Sequence, residues 1–192
     1  MIGAFRMDKN YEPRHIFLAI AVLTVIIAPL LLAFVPQTVG NITHYEKGVW
    51  NVFAPGENFI VFGVGFFLIF SAAMTLFLMD IKRISIIISV ILVFLSMSSF
   101  FVASQSHKTL AEDLISYSPL FSLEEYTYSW DEVDKIVRLD YINEGYYEYE
   151  FVFTDGNSLN FKNNGYFRQI RQKFDRKVKE MDIAIEFYEI EE

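Results

Sequence analysis

The side chains of this 192-residue sequence best suited to chemistry near neutral pH are its three histidines, His15, His44 and His107. An imidazole can relay a proton or ligate a metal. His44 has Glu46 two residues on, and His107 is followed by Glu112 and Asp113. Neither spacing is one that zinc sites use, so both groups are expected to be solvated rather than metal-bound. Acid–base catalysis needs two groups converging on one point, with one pKa raised by burial. The adjacent pairs Glu124-Glu125 and Asp131-Glu132 fall where strands are expected to begin or turn, and neighbours on a strand face opposite ways. The sequence has no glycine-rich phosphate loop, nucleophile elbow or HExxH. It has no cysteine, which excludes disulfides, thiolate metal sites, Cys nucleophiles and iron–sulfur clusters. No catalytic, cofactor-binding or metal-ligating residue is therefore nominated, and the chain reads as a non-enzyme without cofactors.

The elements that must carry these residues are set by three apolar runs without a charge, Ile16–Val35, Phe59–Met79 and Ile84–Ala103. A helix needs about 20 residues to cross a hydrocarbon core about 30 Å thick. The runs predict three transmembrane helices at 16–35, 59–79 and 84–103, within a membrane region at 1–104. The first run is too long for a signal-peptide core, and Pro36-Gln37-Thr38 lacks a small-x-small cleavage pattern, so it reads as a retained helix. Pro29 is expected to remove one hydrogen bond from it.

The spans hold no ionisable group, unlike those of pumps and channels. Ser85, Ser89, Ser96, Ser99 and Ala103 lie within roughly 40° of one line on the third helix. Such a stripe lines a pore or packs closely against another helix. Packing is the reading adopted, with Gly63 and Gly65 of the second helix as its counterpart.

Positive charge near helix ends marks the cytoplasmic side. The N-terminal tail carries Arg6, Lys9 and Arg14, and the second turn carries Lys82 and Arg83. The loop at 36–58 has only Lys47, and the segment after the third helix only Lys108. This bias predicts a cytoplasmic N-terminus and an extracytoplasmic loop and C-terminal domain. Tyr45, Trp50 and Phe53 in the loop are expected at the membrane–water interface. The short stretch from Ser104 to Glu112 reads as a link to the C-terminal domain.

Residues 105–192 contain ten Lys and Arg against nineteen Asp and Glu, a balance near −9. That charge repels nucleic acid and anionic lipid alike, so no nucleic-acid partner is expected. Tyr147, Tyr149, Phe151 and Phe153 alternate with polar neighbours, the pattern of a half-buried strand. Asp155-Gly156-Asn157 turns it into a partner at 158–162. Val133–Ile142 predicts a strand with Val137, Leu139 and Tyr141 on one side; 113–117, 125–130 and 183–190 are shorter candidates. Beyond Gly165, Phe167, Ile170, Phe174, Val178 and Met181 mark an amphipathic helix. Its basic face, from Arg168 to Lys179, is expected to answer the acidic strands. The fold class is a three-helix membrane region plus a small α+β domain, an antiparallel sheet closed by that helix.

Tyr128-Ser129-Trp130-Asp131-Glu132-Val133, then Phe151-Val152-Phe153-Thr154-Asp155-Gly156 and the closing helix, resemble the bacterial pleckstrin-homology-like domain. The likeness covers about residues 113–181. It implies a PH-like sheet in which Trp130 plugs one end, and a small protein of a Gram-positive bacterium with its domain beside membrane helices. It implies no active site, and the chain lacks a basic loop for lipid head groups.

The expected function is thus a multi-pass cell-membrane protein that presents a PH-like domain to a protein or peptide partner, as a sensor, assembly factor or immunity-type protector. Its acidic surface suits a cationic peptide. The competing expectation is an accessory or regulatory subunit of a transporter, acting through its helices. A homo-oligomer is compatible with either.

Overall fold

The computed structural model describes residues 12–122 and 124–190. Arg6 and Lys9, two of the charges behind the expected orientation, lie outside them.

Three helices are long and apolar enough to cross a membrane: α1 (Arg14–His44), α2 (Gly56–Leu78) and α3 (Arg83–Gln105). They contain the expected spans, except that α2 ends at Leu78, one residue before the expected Met79. α1 continues unbroken through Pro29 and Pro36 for 31 residues, about 46 Å at 1.5 Å per residue, well beyond the hydrocarbon thickness.

The chain divides into two compact units. The helical unit is Met1–Val35 with Phe59–Ala103, and the polar unit is Pro36–Asn58 with Ser104–Glu192. The polar unit therefore takes in the whole loop between the first two helices, and is not confined to 105–192.

In the helical unit the serine stripe forms the α2–α3 contact. Ser89 Oγ donates to Ala72 O (2.9 Å), Ser96 Oγ to Gly65 O (2.8 Å) and Ser99 Oγ to Val61 O (2.8 Å). Gly65 leaves room for the Phe100 ring: a Cβ there would meet it at 2.4 Å. At one end, Arg14 Nη1 donates to Asp80 Oδ1 (3.1 Å) and Lys82 Nζ lies 3.6 Å from Asp80 Oδ2. One residue from each cluster, Arg14 and Lys82, thus meets the same carboxylate.

The polar unit has two four-stranded sheets. The first has the order β1-β2-β3-β4, formed by Val49–Phe53, His107–Ala111, Leu114–Ser118 and Tyr126–Ser129, all antiparallel. The second has the order β7-β6-β5-β8, with β5 at Val133–Tyr141, β6 at Tyr146–Phe153, β7 at Ser158–Lys162 and β8 at Ile185–Ile190. A single 3-10 turn at Trp130–Glu132 leads from β4 into β5, and α4 (Gly165–Glu180) joins β7 to β8.

Three expectations need correction. The stretch from Ser104 to Glu112 is no mere link, because it contains β2, the central partner of β1 and β3. Four of the five β2 residues are buried, which erases the polar alternation that would have revealed a strand. Trp50 and Phe53 do not face the interface; they sit in the polar unit's core, 9% and 7% exposed, while Tyr45 is exposed. The second sheet is mixed, since β8 runs parallel to β5. The crossover through α4 returns the chain in the direction a parallel neighbour requires.

Within the core, Tyr149, Phe151 and Phe153 from β6 meet Phe167, Ile170, Phe174 and Val178 from α4. Asn164 caps α4, its side chain accepting from the Tyr166 and Phe167 amides (3.0 and 3.1 Å). On β5 it is Ile136 with Val133 that joins the core, because a register shift between Val133 and Lys135 offsets the alternation. Arg171 pairs with Asp175 of its own helix and donates to the Tyr147 hydroxyl (3.0 Å), and Lys177 pairs with Glu180. Among the described residues these α4 ion pairs run within the helix rather than to strand carboxylates.

Candidate functional site

The end of α1 and the start of β2 bring two of the three histidines together. The rings of His44 and His107 stack with centroids 3.7 Å apart and planes 14° apart. His44 Nε2 donates to Ser104 O (2.9 Å), which binds the last turn of α1 to that of α3. His107 Nδ1 donates to Gln105 O (3.0 Å), and its Nε2 lies 3.4 Å from Glu125 Oε1. Both nitrogens of His107 thus face oxygen atoms, one on the backbone and one on a carboxylate. His107 is 3% exposed. His15 lies in the helical unit, beside Phe77.

The pair lines a recess of about 290 Å³ whose other walls include Glu46, Lys47, Glu112, Asp113 and Glu125. Four carboxylates against one lysine make it a place for positive charge. Glu112 is anchored by Trp50 Nε1, which donates to Oε2 (2.9 Å) and so links β1 to the end of β2. Stacked imidazoles present faces to each other and their nitrogens at the rims, so they do not converge as ligands. Among the described residues no group of three His, Asp or Glu could hold a metal ion.

The carboxylate pairs separate although neither lies in a strand, Glu124-Glu125 preceding β4 and Asp131-Glu132 falling in the 3-10 turn. Glu125 lines the recess, whereas Glu124 accepts from the Tyr126 hydroxyl (3.2 Å). Glu132 accepts from the Ser129 amide (2.7 Å), and Asp131 is exposed. No two of these carboxylates meet.

Lys108 was legible in the sequence only as a loop charge. It lies half-buried on β2 and its Nζ donates to Asn160 O (2.9 Å). Burial lowers its amine below the ordinary lysine value, against the opposing pull of Glu57 and Glu148. A recess of about 420 Å³ around it is also lined by Glu57, Ser106, Tyr117 and Asn160. Ser106 Oγ and the neighbouring Asn58 Oδ1 are buried without a protein partner, while Asn58 Nδ2 donates to Ser106 O (2.7 Å).

The hairpin that carries the aromatic–Asp–Gly signature locks the two sheets together. Tyr128 on β4 stacks on Phe153 on β6 at 3.8 Å and 8°, and its hydroxyl donates to Asp155 Oδ2 (2.9 Å). Burial pushes that hydroxyl up to about 12. The Asn157 amide, donating to Asp155 Oδ1 (2.9 Å), holds the Asp155 carboxyl below its usual value. Gly156, at φ 86°, supplies the left-handed turn residue. Trp130 fills the space between the sheets, its Nε1 donating to Ala111 O (3.1 Å) and its ring 5.6 Å from Trp50.

Compared with protein-family models, curated proteins and solved structures, the chain matches none.

Proposed function

We propose that this chain is a non-enzymatic, multi-pass cell-membrane protein whose polar unit, PH-like in its sequence signature, docks a cationic protein or peptide segment. The observation that carries the reading is the acidic recess around His44 and His107, with Glu46, Glu112, Asp113 and Glu125 in its walls. Further support comes from the way the unit is built. β1 comes from the loop between α1 and α2, and β2 begins two residues beyond α3. A ligand held at the recess therefore touches segments continuous with α1 and α3, which is where a sensor would act. A four-stranded antiparallel sheet, a second sheet and a closing amphipathic helix are compatible with the PH-like resemblance.

The alternative, a transporter subunit acting through its helices, would use the serine stripe on α3. Ser89, Ser96 and Ser99 already donate to carbonyls of α2. That arrangement favours the docking reading.

The test is fluorescence anisotropy of a labelled lysine-rich peptide against the full chain in lipid nanodiscs. Glu46→Gln with Asp113→Asn should weaken binding by about tenfold, or about 1.4 kcal/mol. Equal affinity in the variant, or no binding by the unaltered chain, would sink the proposal. The charge bias further assigns the unit to the extracytoplasmic side. An impermeant thiol reagent should then label Lys173→Cys on intact cells, and labelling only after lysis would reverse the orientation.

A further inference from the structure

We propose that Phe121, at the tip of the loop between β3 and β4, is a lipid anchor that enters the interface of the bilayer crossed by the helices. Phe121 is 79% exposed and has a φ of 64°, a conformation that bulky side chains avoid. The loop holds it there. The Ser122 amide donates to Pro119 O (3.1 Å), the Glu124 amide to Ser122 Oγ (3.0 Å), and Ser118 Oγ to Glu124 O (3.2 Å). A pinned backbone that spends strain to expose an aromatic ring has a use for that ring.

Strand register indicates what the ring meets. α3 ends at Gln105, and its last two residues belong to the polar unit. Two residues further on, His107 pairs with Ser118 in the β2–β3 ladder. Chain geometry allows about 7 Å from Gln105 to His107, and cross-strand partners are about 5 Å apart. The loop bearing Phe121 therefore leaves the sheet within about 12 Å of the point where a membrane-crossing helix ends. Tyr45, which follows the His44 stacked on His107, is exposed at the same end. Aromatic rings at a membrane–water interface satisfy an apolar and a wet side together. Glu124 and Glu125 follow the tip, so the surface it fits is zwitterionic rather than anionic.

The chain lacks cysteine, so F121C can be labelled alone with an environment-sensitive fluorophore and the full protein placed in phosphatidylcholine vesicles. Nitroxide-bearing lipid should quench this label several-fold more than one at K173C on the exposed face of α4, and aqueous iodide several-fold less. P119C, which leaves Phe121 in place, gives a second reading from the same loop. Emission from the buried Trp50 and Trp130 verifies that each labelled chain is folded. Iodide quenching equal to that at position 173 would overturn the proposal. So would shielding from both quenchers, which would mean that a second copy or another protein covers the tip.

Discussion

The imidazoles of His44 and His107 lie face to face at 3.7 Å, one at the end of the first long helix and the other at the start of β2. Sixty-three positions apart in sequence, they join two segments of the polar unit on either side of the α2–α3 hairpin. Stacked aromatic pairs contribute about 0.5–1.5 kcal/mol beyond their area. A double-mutant cycle of His44→Ala and His107→Ala, read by chemical unfolding in detergent micelles, should return a coupling energy in that range. Additivity within about 0.3 kcal/mol would show that the contact carries no energy of its own.

The polar unit should not fold from residues 105–192 alone. Without β1 the core loses Trp50 and Phe53, and β2 gains a bare edge. The fragment should bind hydrophobic dye and lack the near-UV signal of packed aromatics. Fusing residues 46–55 ahead of it through a Gly/Ser linker should restore that signal. In the full chain Trp50→Ala should cost about 3–5 kcal/mol, whereas Tyr45→Ala, at an exposed position, should stay within about 0.5 kcal/mol.

Two glycines of α2 should respond in opposite ways. A methyl group at Gly65 would meet Phe100 at 2.4 Å, whereas one at Gly63 would meet Leu32 at an ordinary 3.8 Å. Gly65→Ala should destabilise the helical unit by about 1–3 kcal/mol through overpacking. Gly63→Ala should be neutral, or stabilising by up to about 1 kcal/mol from helix propensity. Unfolding in mixed micelles separates the two, and equal losses would show that Phe100 does not limit the α2–α3 approach.

Lys108 makes stability depend on alkaline pH. Its amine titrates below the ordinary 10.5 because burial disfavours the charge. Between the lowered folded value and 10.5 the unfolded chain holds more protons than the folded one, so stability rises with pH across that window. Below the window both states are charged and the penalty is constant. Subtracting the profile of Lys108→Met should isolate this rise; a flat difference between pH 8 and 10.5 would show that Lys108 is solvated.

Much of the architecture is legible from residue patterns. An uncharged run such as Ile84–Ala103 has no soluble alternative, and β6 announces itself because Tyr149, Phe151 and Phe153 alternate with polar residues over a core covered on one side only. The serine stripe could likewise be read as a packing face, since small residues on one helical line let α2 approach. These features depend on local periodicity, which the chain carries within a dozen residues. β1 and β2 do not. Each is five residues long; β2 is buried at four positions and β1 is apolar at four (VWNVF), so neither shows a polar alternation and Val49–Phe53 reads as an interfacial loop. Whether Trp50 meets lipid or Trp130 depends on a pairing across more than fifty intervening residues. The recess follows from the same pairing. His44 with Glu46 and His107 with Glu112 are two unremarkable spacings until the β1–β2 ladder sets one beside the other. Stacking, burial and converging charge are properties of that long-range contact, and no single stretch of sequence contains it.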